Sequence, residues 1–410
     1  GQTRLRRLIE QVLVLLAPLS PDNGLLPDVL ADSTLPETNW PPLLTALQCV
    51  HAPPPEAHAD LSRWQHPVQQ RLIFEEFLAH HLSMAFVRRQ RQANTAPTLC
   101  APNSQQQTFL QTLPFSLTAA QQRVVEEIRH DLSQSSPMQR LLQGDVCCGK
   151  TVVAVLAALQ AVEGSFQVAI MAPTELLAEQ HYRLMQQWLE PQGLIVGWLS
   201  GSLPKKQREP LLQDLVTGRI HILVGTHALI QESVCFNQLG LVIIDEQHRF
   251  GVHQRLLLNQ KGTGTVPHQL VMTATPIPRS LYMTLYADLD CSVIDELPPG
   301  RSPINTVVLP DERRLTLVER VKMACNEGSQ CYWVCPLIEE SEKLQCEAAE
   351  KTHLFLSGAL GGLAVGLLHG RMKNREKEHI MAQFKEGRLA VLVATTVIEV
   401  GVDVPNASLM

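Results

Sequence analysis

The sequence contains no apolar run long enough to cross a bilayer. Its longest, near 152–159, falls far short of the about 20 residues that a spanning helix needs. There is no pair of Cys-x-x-Cys knuckles, and no histidine accompanies the ten cysteines at zinc spacing, which excludes the common structural zinc modules. Cysteines scattered at 49, 100, 147, 148, 235, 291, 325, 331, 335 and 346 read as reduced thiols of a cytoplasmic protein. Basic charge is not in excess: 34 Lys and Arg against 40 Asp and Glu leave a formal charge of −6. With no global positive field, any nucleic-acid contact must be local. Arg4, Arg6 and Arg7 precede an apolar stretch as in a leader peptide, but Pro18, Pro21 and Asp22 interrupt it and no small-residue cleavage site stands out.

What is present is an ordinary folded composition, 45% apolar and 18% charged, on a chain of 410 residues that exceeds one core and predicts two or three domains. Residues 1–60 form a Pro-rich lead-in in which Pro41-Pro42 and Pro53-Pro54-Pro55 break any long element. From Pro67 to about Arg89 the recurrence of Phe74, Phe77, Leu78, Leu82 and Ala85 predicts a helix with a basic end, and the polar stretch 93–107 reads as a linker. Beyond Leu117, apolar runs at 140–143, 168–171, 220–224, 241–244 and 269–272 alternate with helical segments. That predicts an α/β fold with a parallel sheet covered on both faces. Leu297-Pro298-Pro299-Gly300 marks a boundary. A second α/β series follows, with strands expected at 306–309, 330–335, 363–368 and 389–394.

The chemistry begins at Gly144-Asp145-Val146-Cys147-Cys148-Gly149-Lys150-Thr151, which fits G-x-x-x-x-G-K-[ST]. Backbone amides of such a loop and the start of the helix after it wrap phosphates. Lys150 supplies a cation for the β/γ-phosphates, and the Thr151 hydroxyl a ligand for Mg²⁺. A second site follows where an apolar run delivers Asp245-Glu246-Gln247-His248 to a strand end. Asp245 suits a water-bridged Mg²⁺, and Glu246 suits the orientation and deprotonation of an attacking water. Thr273 and Thr275 flank a small residue at another strand end, placed to sense the γ-phosphate through the acidic pair. Pro173-Thr174 and Gly225-Thr226-His227 close two further strands, where free amides and hydroxyls suit phosphates of a nucleic-acid strand; taken alone, Thr174 reads as a helix cap. Thr395, Thr396, Gly401 and Asp403 form a candidate second wall of a nucleotide cleft.

In order and spacing these stretches resemble superfamily 2 helicases. They include Met-Ala-Pro-Thr-Glu-Leu-Leu-Ala-Glu-Gln-His over 171–181, Val-Gly-Thr-His over 224–227, Asp-Glu-Gln-His-Arg-Phe-Gly-Val-His over 245–253, Thr-Ala-Thr-Pro-Ile-Pro-Arg over 273–279 and the motif over 395–405. The resemblance covers about residues 65–410. It implies two RecA-like lobes that clasp ATP and Mg²⁺, driving a monomeric motor on branched DNA. Replication forks and Holliday junctions are the implied substrates, in recombination and repair, and single-stranded DNA-binding protein is an implied partner. By the same resemblance Gln121 recognises adenine, Arg279 joins Thr273 and Thr275 in coupling, and Thr395 and Thr396 join Pro173, Thr174 and 225–227 in contacting DNA. The implied domains are 1–66, the tail of a wedge region; 67–107, scaffold helix and linker; 108–298, the ATP-binding lobe; and 299–410, a second lobe expected to be incomplete at its C-terminal side.

Three departures accompany the resemblance. The family's loop carries Gly-Ser where this chain has Cys147-Cys148, and a Cβ at a backbone position with positive φ costs about 1–2 kcal/mol. A last motif, Gln followed by Gly-Arg steps, is expected after Asp403 and does not occur; its arginine is worth about 10³–10⁵ in rate. The wedge region is missing or reduced to its tail. These departures leave a second reading open, a nucleotide- or DNA-binding remnant without efficient turnover. An RNA helicase would carry Asp-Glu-Ala-Asp and Ser-Ala-Thr at 245–248 and 273–275.

Overall fold

The computed structural model describes residues 2–16, 30, 40–92, 94–100, 102–201, 203–246, 258, 261–262, 264–275, 289–298, 304–335, 342–372, 374–395, 404 and 406–410. Contacts divide the chain into two compact units, residues 1–91 and 92–410.

The first unit is helical: α1 (Gln2–Leu16), α2 (Leu43–His51), α3 (His58–Ser62) and nearly all of α4 (Pro67–Gln92). A mainly helical lead-in before the α/β lobes is expected from the sequence, and α1 to α4 supply it. Helix α1 ends before Pro18, so the prolines stop it rather than break it. The predicted helix from Pro67 is α4. It is fastened by Arg71, only 3% exposed, which donates to the Pro41 carbonyl at 2.7 Å and to Glu75 Oε1 at 3.0 Å, and by Phe74 against Trp40. Phe77 and Leu82 of its expected apolar stripe are exposed, as is Phe86 beside it.

The second unit holds two parallel sheets. Helix α5 (Ser104–Thr112) opens it within the stretch expected as linker. Phe109 and Leu99 are buried there, and Glu163 accepts from Ser104 Oγ and Gln105 N at the helix start. Ala96, Leu99, Gln106 and Phe109 therefore anchor this stretch by burial. Helix α6 (Ala119–Leu132) begins at a full capping box: Thr118 Oγ1 accepts from Gln121 N, and Gln121 Oε1 accepts from Thr118 N. The alternation continues as β1 (Gln139–Gly144), α7 (Lys150–Glu163), β2 (Gln167–Met171), α8 (Glu175–Leu189), β3 (Val196–Leu199), α9 (Lys205–Val216), β4 (Ile222–Gly225), β5 (Leu239–Asp245), β6 (His268–Thr273) and β7 (Asp290–Ile294). The strand order is β3-β4-β2-β5-β6-β1-β7, all parallel. Every residue of β2, β4, β5 and β6 is buried, as expected for strands covered on both faces. Helix α7 is buried all round, from Val152 to Val162, and forms the centre of the main core.

The second sheet comprises β8 (Gln330–Val334), β9 (Val365–Leu368), β10 (Val391–Ala394) and β11 (Ala407–Leu409) in the order β11-β8-β10-β9. Helices Arg314–Asn326, Glu342–Ala359 and Asn374–Lys385 connect or flank these strands. The strand expected at 306–309 is not formed; Val307 and Val308 are 65% and 94% exposed, without a neighbouring strand. The two sheets share a plan. β8 lies between β10 and β11 as β2 lies between β4 and β5. Gln330 opens β8 and donates to the Phe384 and Leu389 carbonyls; Gln167 opens β2 and donates to those of Leu215 and Ile220. In both lobes one carboxamide ties a helix end to the start of the neighbouring strand.

The cysteines at 49, 100, 147, 148, 235, 291, 325, 331 and 335 take part in no disulfide. Burial pushes the Cys331 thiol up to about 12 and raises that of Cys325, so both stay protonated. Among the described residues no helix is long and apolar enough to cross a membrane.

Candidate nucleotide site

The register of the first sheet brings the two main motifs together. Asp245 at the end of β5 stands opposite Met272 of β6, and Gln143 near the end of β1 stands opposite Thr273. The phosphate loop and the acidic pair thus leave the same sheet edge, separated by one intervening strand, a lateral distance of about 10 Å. Thr273 ends that middle strand.

The loop between β1 and α7 is already folded into its turn. Cys148 N donates to the Asp145 carbonyl at 3.2 Å and Val146 N to Asp145 Oδ1 at 2.7 Å. Lys150 Nζ lies back over the loop, donating to the carbonyls of Gly144 (2.8 Å) and Asp145 (2.9 Å). A polyphosphate offers that ammonium charged acceptors, which bind it more strongly than neutral carbonyls. Thr151 sits beside Lys150 in the first turn of α7. Gly149 caps α7 with φ +89, and a Cβ there would overlap the Gln121 amide; one at Gly144 would overlap Cys148 Sγ. Gly144 is therefore required by space, and Gly149 chiefly by its backbone angle. Cys148 is buried in the main core, and burial raises its thiol, so it fills space as a neutral side chain.

Cys147 is exposed and sits at φ +61, in the left-handed region that glycine favours. That conformation costs a side-chain-bearing residue about 1–2 kcal/mol, and glycine's extra unfolded-state entropy returns about 0.5–1 of it. Cys147→Gly is expected to raise stability by about 0.5–1 kcal/mol on these terms, whereas Cys147→Ala, which keeps the Cβ, leaves it unchanged. Thermal melting of the two variants beside the parent checks this. A Gly variant that melts below the Ala variant would show that the loop carries no strain at 147.

Gln121 is 2% exposed and faces the loop from behind, its Nε2 donating to the Cys148 carbonyl at 2.8 Å while its Oε1 completes the capping box of α6. The side chain expected at adenine thus also supports the backbone of the phosphate loop.

Asp245 is delivered by the apolar run of β5 and is itself buried, at 8% exposure. Its Oδ1 accepts from Glu246 N at 3.0 Å, and its Oδ2 lies 2.7 Å from His181 Nε2. Sequence reasoning assigned His181 no role. The available signal was a histidine in the buried stripe of α8, where Leu177, Ala178, His181, Met185 and Leu189 recur at helical spacing. Glu246 stands at φ +49, a strained position of the kind retained at functional sites. Its carboxylate accepts from Ala274 N at 3.2 Å and has Thr273 Oγ1 at 3.5 Å, and Thr273 Oγ1 is bonded to Thr275 Oγ1 at 2.8 Å. The expected contact between the acidic pair and the Thr-x-Thr motif is therefore formed. An oxygen donor set, one carboxylate and one hydroxyl with room for phosphates and water, suits Mg²⁺. Among the described residues no group of three acidic, His or Cys side chains forms a metal cage of its own.

The other expected residues lie at strand ends. Pro173 and Thr174 lead into α8, and Thr174 caps it, accepting from Leu177 N at 3.3 Å. Gly225 ends β4, where a Cβ would overlap the Leu199 carbonyl of β3. Thr226 is 2% exposed, and its hydroxyl has no hydrogen-bond partner among the described residues; His227 beside it is exposed. Thr395 follows β10, the strand that occupies the place of β4 in the second sheet. It is 1% exposed, and its hydroxyl likewise has no partner among the described residues. Gln247, His248, Arg279, Thr396, Gly401 and Asp403 lie outside the described residues.

Residues 118–284 match the DEAD/DEAH box helicase family, and residues 314–410 match the helicase conserved C-terminal domain. The chain is 54% identical over 413 residues to the ATP-dependent DNA helicase RecG of Haemophilus influenzae, and 55% identical over 415 residues to that of Escherichia coli strain K12. Both alignments take in 100% of this chain and 59% of the relative, so the chain spans somewhat more than half the length of these curated relatives. A solved structure of RecG bound to a three-way DNA junction matches with a TM-score of 0.76 at 37% identity, over 99% of this chain and 52% of that one. The DNA-bound helicase MrfA, 18% identical with a TM-score of 0.55 over 77% of this chain and 47% of that one, shares the fold alone. With two RecA-like lobes and similarity of this order along the whole of this chain, it belongs to the RecG family.

Proposed function

We propose that this chain is the motor portion of an ATP-dependent DNA helicase that acts on branched DNA, reversing replication forks and migrating Holliday junctions in recombination and repair. The observation that carries the motor reading is the shared sheet edge, with the Lys150 loop and the Asp245–Glu246 pair one strand apart and Thr273 between them. In this reading Gly144–Thr151 hold the phosphates and Gln121 contacts adenine. Thr151 and Asp245 hold Mg²⁺, which when bound neutralises charge on the β/γ oxygens. Glu246 takes the proton of the attacking water. Thr273, Thr275 and Arg279 relay the state of the site, and Gln247, His248, Gly401 and Asp403 complete it.

DNA phosphates would be gripped by Pro173, Thr174, Gly225, Thr226, His227, Thr395 and Thr396. The paired buried hydroxyls of Thr226 and Thr395 support this, since a buried hydroxyl without a partner costs about 1–3 kcal/mol and a phosphate oxygen would satisfy it. A monomer working in the cytoplasm, alongside single-stranded DNA-binding protein, completes the proposal.

The test is ATP hydrolysis by the whole protein with forked, four-way and linear duplex DNA at one salt concentration. Branched DNA is expected to stimulate more than linear duplex of equal length. Equal stimulation would overturn the branch assignment, and no stimulation by any DNA would overturn the motor. The strained Cys147 favours a second reading, a nucleotide-binding remnant without efficient turnover. Phosphate release by this chain on forked DNA, no faster than that of a Glu246→Gln control, would support it.

A further inference from the structure

We infer that His181 is a positioning residue for Asp245, holding the carboxylate in the orientation in which it serves Mg²⁺ bound with nucleotide. This rests on the reading of Asp245 as the metal carboxylate. The geometry is specific. His181 projects from the buried face of α8, and its Nε2 lies 2.7 Å from Asp245 Oδ2, with side-chain exposures of 9% and 11%. A carboxylate can only accept, so Nε2 carries the hydrogen and the imidazole is the donor. The other oxygen, Oδ1, is held by Glu246 N at 3.0 Å. Both oxygens are thus directed, one by the amide of the next residue, which also donates to the Met272 carbonyl of β6 at 3.0 Å, and one by a side chain from a different element.

A two-point hold fixes the carboxylate plane, and a carboxylate held at one point is free to turn. Helix α8 is a firm support for the donor. Ala178 and Leu177 pack with Ala172 and Trp198, Tyr182 stacks near Trp198 at 5.8 Å, and Met185 and Leu189 enter the main core. Outer partners of metal ligands typically contribute about tenfold to a hundredfold in metal affinity.

The test uses the purified chain and a fluorescent, non-hydrolysable ATP analogue, titrated in EDTA and over a range of Mg²⁺ concentrations. His181→Leu keeps the volume and removes the donor; His181→Gln keeps a neutral N–H donor. Expected for His181→Leu is a rise of about tenfold or more in the Mg²⁺ concentration that gives half of the Mg²⁺-dependent binding, with binding in EDTA unchanged. His181→Gln is expected to restore most of the difference. Equal Mg²⁺ demand in the parent and His181→Leu would overturn the proposal. So would equal losses with and without Mg²⁺, or failure of His181→Gln to differ from His181→Leu, because a purely structural histidine behaves that way. Should His181→Leu not fold, a folded His181→Gln with parental Mg²⁺ demand supports the proposal and one with a tenfold higher demand overturns it. Nucleotide binding by the parent chain that is indifferent to Mg²⁺ would instead remove the metal role of Asp245, and the inference with it.

Discussion

Glu246→Gln is expected to slow ATP turnover by about 10²–10⁴-fold while leaving nucleotide binding close to normal, the range in which a positioned general base contributes. The structure explains why the change is confined to chemistry. Glu246 Oε1 accepts from Ala274 N at 3.2 Å, and a glutamine carbonyl oxygen accepts there equally well. The backbone at φ +49 bears the same strain with either side chain. What the amide loses is the capacity to take a proton from water. Single-turnover phosphate release at saturating ATP, with DNA present, measures the effect in the whole protein. Turnover within threefold of the parent would remove Glu246 from the reaction and leave it as a brace for the Thr273–Thr275 turn.

Gly149→Ala is expected to weaken nucleotide binding by about two orders of magnitude. Two costs combine. The φ of +89 disfavours any L side chain by about 1–2 kcal/mol, and the added methyl group overlaps the amide of Gln121, where overpacking costs about 1–3 kcal/mol. A loss near 3 kcal/mol corresponds to about 10² in an equilibrium constant. The loop is the weaker partner, because Gln121 is anchored at its other end by the capping box of α6. Gly387→Ala is the matched control. Its φ of +75 carries the backbone cost, but nothing lies within 4 Å of the new methyl group. It should lower the melting point and leave nucleotide affinity unchanged. Isothermal titration with a non-hydrolysable nucleotide separates these cases, and an unaltered affinity in Gly149→Ala would show that the loop is free to move away from Gln121.

Much of the first lobe could be read directly because its central strands are buried on both faces and so appear as unbroken apolar runs. Leu241-Val-Ile-Ile244 is such a run, and it pointed straight to Asp245. The edges of the sheet were not legible in this way. β7 reads Asp-Cys-Ser-Val-Ile with mostly exposed residues, and β3 is only Val-Gly-Trp-Leu at the opposite edge. An apolar run was also misleading where no strand exists to receive it, as at Val307 and Val308. Gln121 and His181 illustrate a second limit. Their partners, the Cys148 carbonyl and Asp245, are distant in sequence, and only the packing of α6 and α8 onto the sheet brings them together. Cys147 was legible in part. Its presence was plain, and its penalty depended on a dihedral angle that the loop supplies.

Lys150 has a thermodynamic consequence of its own. By donating to the Gly144 and Asp145 carbonyls, its ammonium keeps the loop shaped before any ligand arrives. Nucleotide entry then exchanges one set of acceptors for another and orders little new backbone. Association is relieved of much of the entropic cost that a disordered loop would impose. A loop shaped in advance should bind nucleotide faster and more tightly than one that must order on binding.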